Sequence, residues 1–114
     1  MLLNSVSTKL GKVHYAKAIR WYLKSAEQGN ADAQYRLGDM YHTCEGVTQD
    51  YVQAHMWFNL AESRFTAAEK ESRDEAISNR DRLASKMTSA QIAETQKLAR
   101  VEFPRLEFPR LRGQ

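Results

Sequence analysis

Residues that could take part in catalysis or metal binding gather in one short stretch of this chain. Cys44 is the only cysteine, His42 lies two positions before it, and His55 follows further along. A thiol nucleophile needs a base within hydrogen-bond reach and a lowered pKa, and two positions on a loop secure neither. Zinc would need about four ligands, and the CxxC and HExxH spacings are absent. We therefore predict no catalysis and no metal site here, and we expect the histidines to lie on the surface.

Motifs for phosphate or cofactor binding are also missing from the sequence. It contains no GxGxxG, no P-loop and no GxSxG, so no cofactor is expected. The net charge of +3 comes from 17 basic and 14 acidic residues, which are interleaved along the chain without a basic block. Such scattered charge argues against a nucleic-acid partner and against binding to a membrane.

Length and hydropathy are those of one soluble domain. The chain has 114 residues, of which 42% are hydrophobic, enough for a real core. No apolar run approaches the length of a membrane span, and the apolar residues near the start are too scattered for a signal-peptide core. We expect a cytoplasmic location, or a periplasmic or secreted one if the sequence is a piece of a longer chain. The scattered apolar residues near the start of the chain, which are too few for a signal-peptide core, are Leu2, Leu3, Val6 and Leu10.

The elements that would position these residues are predicted to be helices throughout. Gly29 is typical of a helix end, and Asn30 and Asp50 are typical N-caps. Thr88 and Gln91 have the spacing of a capping box. Together with the apolar periodicity, these signals predict five helices. They cover about residues 14–28, 31–43, 51–64, 66–87 and 89–101.

Two stretches of the chain match each other, and each matching pair of residues is 36 positions apart. The matching residues are Tyr15, Ala18, Trp21 and Tyr22 in the first copy and Tyr51, Ala54, Trp57 and Phe58 in the second. Such a repeat is typical of stacked helix pairs, because one pair cannot bury its apolar face alone. We therefore expect the paired aromatic residues to pack between helices in equivalent surroundings. Gly38 lies inside the second helix, where glycine is unfavourable by roughly 1 kcal/mol, and we expect it to admit a neighbouring helix at close range.

These positions, with the residues between them, resemble the Sel1-like repeat, a relative of the tetratricopeptide repeat. The family pattern A-x-x-W-Y-x-K-A-A-E-Q-G, then A-x-A-Q-x-x-L-G-x-x-Y, is largely met from Ala18 to Tyr41, and G-x-G-V-x-x-D-Y-x-x-A from Gly46 to Ala54. Residues 79–100 resemble the terminal unit of bacterial members. The resemblance implies an all-α, right-handed superhelix of helix pairs, which is a solenoid that acts as a protein-interaction scaffold without a cofactor.

The resemblance also implies how the chain is organised. Cys44 and Phe65 stand where the repeat has glycine, so the turns at both places are expected to differ from the family's. An array that begins within a repeat exposes apolar surface at its end. The early apolar residues or a second copy of the chain would cover this surface, or the chain is a piece of a longer array. The expected segments are a partial repeat (1–13), repeat helices (14–64), C-terminal capping helices (65–101) and a flexible tail (102–114).

The tail contains a short motif twice. Residues 102–106 read Glu-Phe-Pro-Arg-Leu, and residues 107–111 repeat this order. Proline disfavours helix in the residue before it, so we expect an extended or turned segment that is flexible. The alternative is a docking segment that inserts Phe103 and Phe108 into a groove.

A partner would contact the inner curve of the solenoid, by analogy with tetratricopeptide repeats. This curve is formed by the first helix of each pair, which is the second and the fourth helix of the chain. Tyr35 is the strongest candidate there, because aromatic residues are enriched where binding energy concentrates; ordinary solvated residues are the alternative. The predicted partner-binding residues are Asp32, Tyr35, Asp39, His42, Ser78 and Arg82.

The sequence therefore predicts a non-enzymatic adaptor that binds a protein or peptide on the concave face of the solenoid. A second hypothesis is a structural role, in which the exposed end of the first repeat makes a homodimer. The hypothesis from another class is a hydrolase that uses Cys44 and His42.

Overall fold

The structure, a computed structural model, describes residues 16–43 and 49–106. Within these ranges it contains helices and turns and no strand, so the predicted all-α fold is confirmed. A short 3-10 turn, Ala67–Glu69, precedes the fourth helix. In the same ranges the helices are α1 (residues 16–27), α2 (Ala31–Thr43), α3 (Tyr51–Arg64), α4 (Lys70–Ala84) and α5 (Ser89–Glu102).

The turn between α1 and α2 is built around Gly29. Its φ of 94° lies in the left-handed region that favours glycine. The backbone N–H of Gly29 donates to the carbonyl of Ala26 at 2.9 Å, and that of Asn30 donates to Ser25 at 3.2 Å, which is the Schellman pattern of a helix end. The Asn30 side chain then accepts from the backbone N–H of Ala33 at 2.9 Å. The predicted helix end and N-cap are both confirmed.

The corresponding turn between α3 and α4 takes another form. Phe65 holds the repeat position of Gly29, but its φ of −64° and ψ of 136° are those of extended backbone. Its side chain is buried. The carboxylate of Glu69 accepts from the backbone N–H of Thr66 at 3.1 Å and so satisfies a donor at the start of the next helical segment. A bulky residue therefore fills core space where the first copy makes a left-handed turn.

The centre of the molecule is α3, which contacts α2, α4 and α5. Every residue from Ala54 to Ala61 is buried, and Trp57 and Phe58 are completely so. α2 approaches Phe58 closely at Gly38, where a Cβ atom would lie 2.6 Å from Cδ1 of the phenyl ring. The predicted close approach is therefore confirmed, and it accounts for a glycine inside a helix.

The two repeat tryptophans lie in unlike surroundings, so the prediction of equivalent packing is wrong. Trp57 is 0% exposed, whereas Trp21 is 72% exposed. α1 instead buries Ile19 and Ala26. The reason is the place of each helix in the stack: α3 is surrounded by described helices, while nothing in the described ranges covers Trp21 on α1.

Phe103 and Leu106 pack onto the core, which differs from the flexible tail expected for residues 102–106. The Phe103 ring lies 4.7 Å from the Trp57 ring, centroid to centroid, and Leu106 is buried in the same cluster. The backbone N–H of Leu106 donates to the Phe103 carbonyl at 3.0 Å, which closes a turn with Pro104 at its second position. Phe103 therefore packs on Trp57 of its own chain. Phe108 lies outside the described residues, and the docking alternative stays a prediction.

His55, expected on the surface, is buried in α3 with 2% of its surface exposed. Burial, and after it the positive charge of Arg80, lower the pKa of His55 to about 4, so its imidazole is neutral at neutral pH. The Arg80 guanidinium links α4 to α3, since it donates to the Glu62 carboxylate and to Oδ1 of Asn59. The expectation failed because α3 is buried on nearly all sides.

Candidate interaction groove

A groove of about 780 Å³ opens between α1, α2 and the first half of α4. α2 forms its floor, because Asp32, Tyr35 and Asp39 share one face of the helix. Leu37 and Met40 of the same helix are buried in the core. Aromatic rings and carboxylates dominate the lining. The lining includes Trp21, Tyr22, Asp32, Tyr35, Asp39 and Glu75.

Tyr35 is a fixed wall of the groove, held by two other helices. Its hydroxyl accepts from Nδ2 of Asn79 at 3.0 Å and lies 3.4 Å from Oε2 of Glu75, to which it donates. Its ring lies 5.5 Å from that of Phe58. Burial, then the negative charges of Glu75 and Asp39, raise the pKa of Tyr35. The phenol therefore stays protonated and works as a donor and as a hydrophobic surface.

Three of the six predicted partner-binding residues lie together in this groove: Asp32, Tyr35 and Asp39. His42 does not line it; its ring packs against Tyr51 at 6.2 Å between centroids. The other two, Ser78 and Arg82, are exposed on α4 but are not part of the lining. α4 contributes Ser72 and Glu75 instead. A binding role for any of the six remains a prediction.

Sequence reasoning missed the contribution of α1. Trp21 and Tyr22 line the groove, but the repeat register had placed both in the interior. The signal that could have found Trp21 was the expected exposure of apolar surface at the end of the array.

A second, smaller depression shares Trp21 with the groove. Its volume is about 420 Å³, and Lys17, Arg20 and Lys24 line it together with the indole. These cations are separated along the sequence, so no basic block was visible there. One and two turns of helix bring Lys17, Trp21 and Lys24 onto one face.

The described residues hold no cluster of three or more histidine, cysteine, aspartate or glutamate side chains that could bind a metal ion. In the same part of the chain, no helix is long and apolar enough to cross a membrane. Cys44 lies outside the described residues, so its proposed pairing with His42 remains a sequence prediction.

α2 and α3 pack as a pair, and α4 packs next to α3, which is consistent with an all-α repeat fold of the Sel1/TPR-like class. The family model of the Sel1 repeat matches residues 10–30 and 31–64, and these two stretches belong to the Sel1-like repeat family. The second match covers α2 and α3 as one complete pair, and the first includes α1. No curated protein and no solved structure matches the chain. Sel1 repeats are generally protein–protein interaction modules, and their all-helical fold is typically a non-catalytic scaffold.

Proposed function

We propose that this chain is an adaptor that binds a segment of another protein in the groove between α1, α2 and α4. The observation that carries the proposal is a tryptophan, 72% exposed, at the rim of an open groove of about 780 Å³. Tryptophan and tyrosine dominate binding energy at many interfaces, because they remove large apolar areas from water and have few rotatable bonds. The general role of Sel1 repeats supports the same conclusion.

The groove combines fixed walls with carboxylates that form no salt bridge within residues 16–43 and 49–106. Tyr35 is held in place by Asn79 and Glu75, so a ligand would meet a preorganised surface and lose less conformational entropy on binding. Among the residues that the structure describes, neither Asp32 nor Asp39 forms a salt bridge. Their carboxylates can therefore accept hydrogen bonds from a partner.

The test is affinity capture from the native source with a groove variant and a matched control. Trp21→Ala/Asp39→Asn removes one exposed ring and one charge from the groove and should leave the fold intact. Glu94→Gln/Lys97→Gln removes two charges from the exposed face of α5, far from the groove lining. Tyr35→Ala is a poorer choice, because it would also remove contacts to α4.

We expect a protein retained by the wild type and by the α5 control, but lost by the groove variant, with circular dichroism spectra unchanged. The retained segment would then be made as a peptide and its affinity measured for all three proteins. Equal capture by wild type and groove variant would refute the groove as the binding site.

A structural role as a homodimer is the second candidate, and the same exposed Trp21 favours it, since it lies at the first repeat. Light scattering over a range of concentrations distinguishes the two. A dimer that Trp21→Ala converts to monomer would favour the structural role, and a monomer at high concentration would discard it.

A further inference from the structure

We infer that the segment bound by this groove is bipolar, with a lysine or arginine in the groove, an apolar residue against Trp21, and an aspartate or glutamate beyond it. This inference rests on the proposed function and assigns the chemistry of the partner. Three features of the surface carry it.

The first feature is the negative side of Trp21. Three carboxylates, those of Asp32, Asp39 and Glu75, line the groove against one cation, Arg36. Within the described ranges none of these four groups forms a salt bridge. An unpaired surplus of negative charge inside a concave site concentrates the field there, so the groove favours a cationic side chain.

The second feature is the positive side. Lys17, Arg20 and Lys24 are exposed and line the shallow depression with Trp21, and no acidic residue takes part in that lining. In the described part of the chain, none of the three forms a salt bridge. This surface favours a carboxylate.

The third feature is that Trp21 belongs to both depressions. A segment that crosses the indole passes from negative to positive potential. Each charged set extends over about two helical turns, or roughly 10 Å, which is the length of about three residues of extended chain. A uniformly basic or uniformly acidic segment would be attracted at one end and repelled at the other, so the arrangement selects opposite charges on the two sides of an apolar anchor.

The experiment selects ligands from a random-peptide phage library against the full chain. Enriched peptides are synthesised, and their affinities are measured by fluorescence anisotropy at low and high salt. Asp32→Asn/Asp39→Asn tests the negative side and Lys17→Gln/Lys24→Gln the positive side. The α5 variant Glu94→Gln/Lys97→Gln, which removes two charged groups outside the groove lining without changing the net charge, serves as the control, and Trp21→Ala tests the anchor.

We expect enriched peptides with a basic residue, an apolar residue and an acidic residue in that order or its reverse. Each groove-side or patch-side double variant should weaken binding roughly tenfold, and added salt should weaken it further. The α5 control should bind like the wild type. Replacing the peptide's basic residue by glutamine should remove the effect of Asp32→Asn/Asp39→Asn, and not that of Lys17→Gln/Lys24→Gln.

The other outcomes distinguish a failure of this inference from a failure of the proposed function. Peptides that need Trp21 but show no charge pattern and no response to the charge variants would overturn the inference and leave the proposed function standing. No enrichment, or enrichment unaffected by Trp21→Ala, would overturn both. A dimer of this chain that dissociates in the Trp21→Ala and Lys17→Gln/Lys24→Gln variants would assign the surface to a second copy and also overturn the inference.

Discussion

Acidification should destabilise this protein through the imidazole of His55. The folded chain holds the pKa of His55 at about 4, because of burial and the nearby Arg80. In the unfolded chain the imidazole has its ordinary pKa near 6.5. Between these two pKa values the unfolded state binds the proton and the folded state does not. The stability that depends on a neutral His55 is therefore fully present above about pH 6.5 and is lost as the pH falls toward 4. From about pH 7.5 to about pH 5, the loss from this one group comes to about 2 kcal/mol.

The assay is urea denaturation followed by circular dichroism at a series of pH values. Carboxylates also titrate as the pH falls, so the comparison is between the wild type and His55→Gln, which has no imidazole at that position. The difference in the free energy of unfolding between them should change by about 2 kcal/mol over this range. His42→Gln serves as a control for the replacement of a histidine elsewhere in the chain. Parallel curves for the wild type and His55→Gln would refute a buried, neutral imidazole.

Three further substitutions test the packing of the helices by chemical denaturation. Gly38→Ala should destabilise the fold by roughly 1–3 kcal/mol, in spite of its better helix propensity, because the new Cβ would overlap the buried Phe58 ring; a stabilised variant would contradict the close approach. Gly29→Ala should destabilise by about 1–2 kcal/mol through its left-handed backbone, and Gly29→Asn by less; equal values would contradict this reason, since a Cβ there meets nothing closer than 3.7 Å. Phe103→Ala should destabilise by roughly 2–3 kcal/mol, less than a fully buried phenylalanine, because its ring covers Trp57; no change would mean that the end of α5 is not part of the core.

Local signals predicted most of the fold. Gly29, Asn30 and Asp50 have strong conformational or hydrogen-bonding preferences that depend on few neighbours, and the bounds of α2 and α3 followed from them. The close approach of a neighbouring helix at Gly38 was predicted because a glycine inside a helix implies a close neighbour. The second repeat turn was different, since the conformation at Phe65 depends on space in the core that no short stretch of sequence reveals.

The site was predicted only in part, because the surroundings of a repeat residue depend on where its helix lies among the other helices. One helix face gave Asp32, Tyr35 and Asp39, because their spacing alone places them together. Trp21 was assigned to the core on the assumption that equivalent repeat positions have equivalent neighbours. That assumption fails for Trp21, because the described residues leave it mostly exposed to solvent while they bury Trp57. The packing of Phe103 on Trp57 joins residues far apart in sequence, and periodicity carries no information on such a contact.

Because the two tryptophans differ in solvent exposure, they can serve as two separate fluorescence reporters within one chain. The sequence contains only two tryptophans. Trp57 is fully buried, and Trp21 is mostly exposed to solvent. Their fluorescence should therefore separate into a blue component protected from acrylamide and a red component that acrylamide quenches readily. Loss of the blue component would follow unfolding, whereas protection of the red one would follow occupancy of the rim, so folding and recognition can be recorded independently in one unlabelled sample.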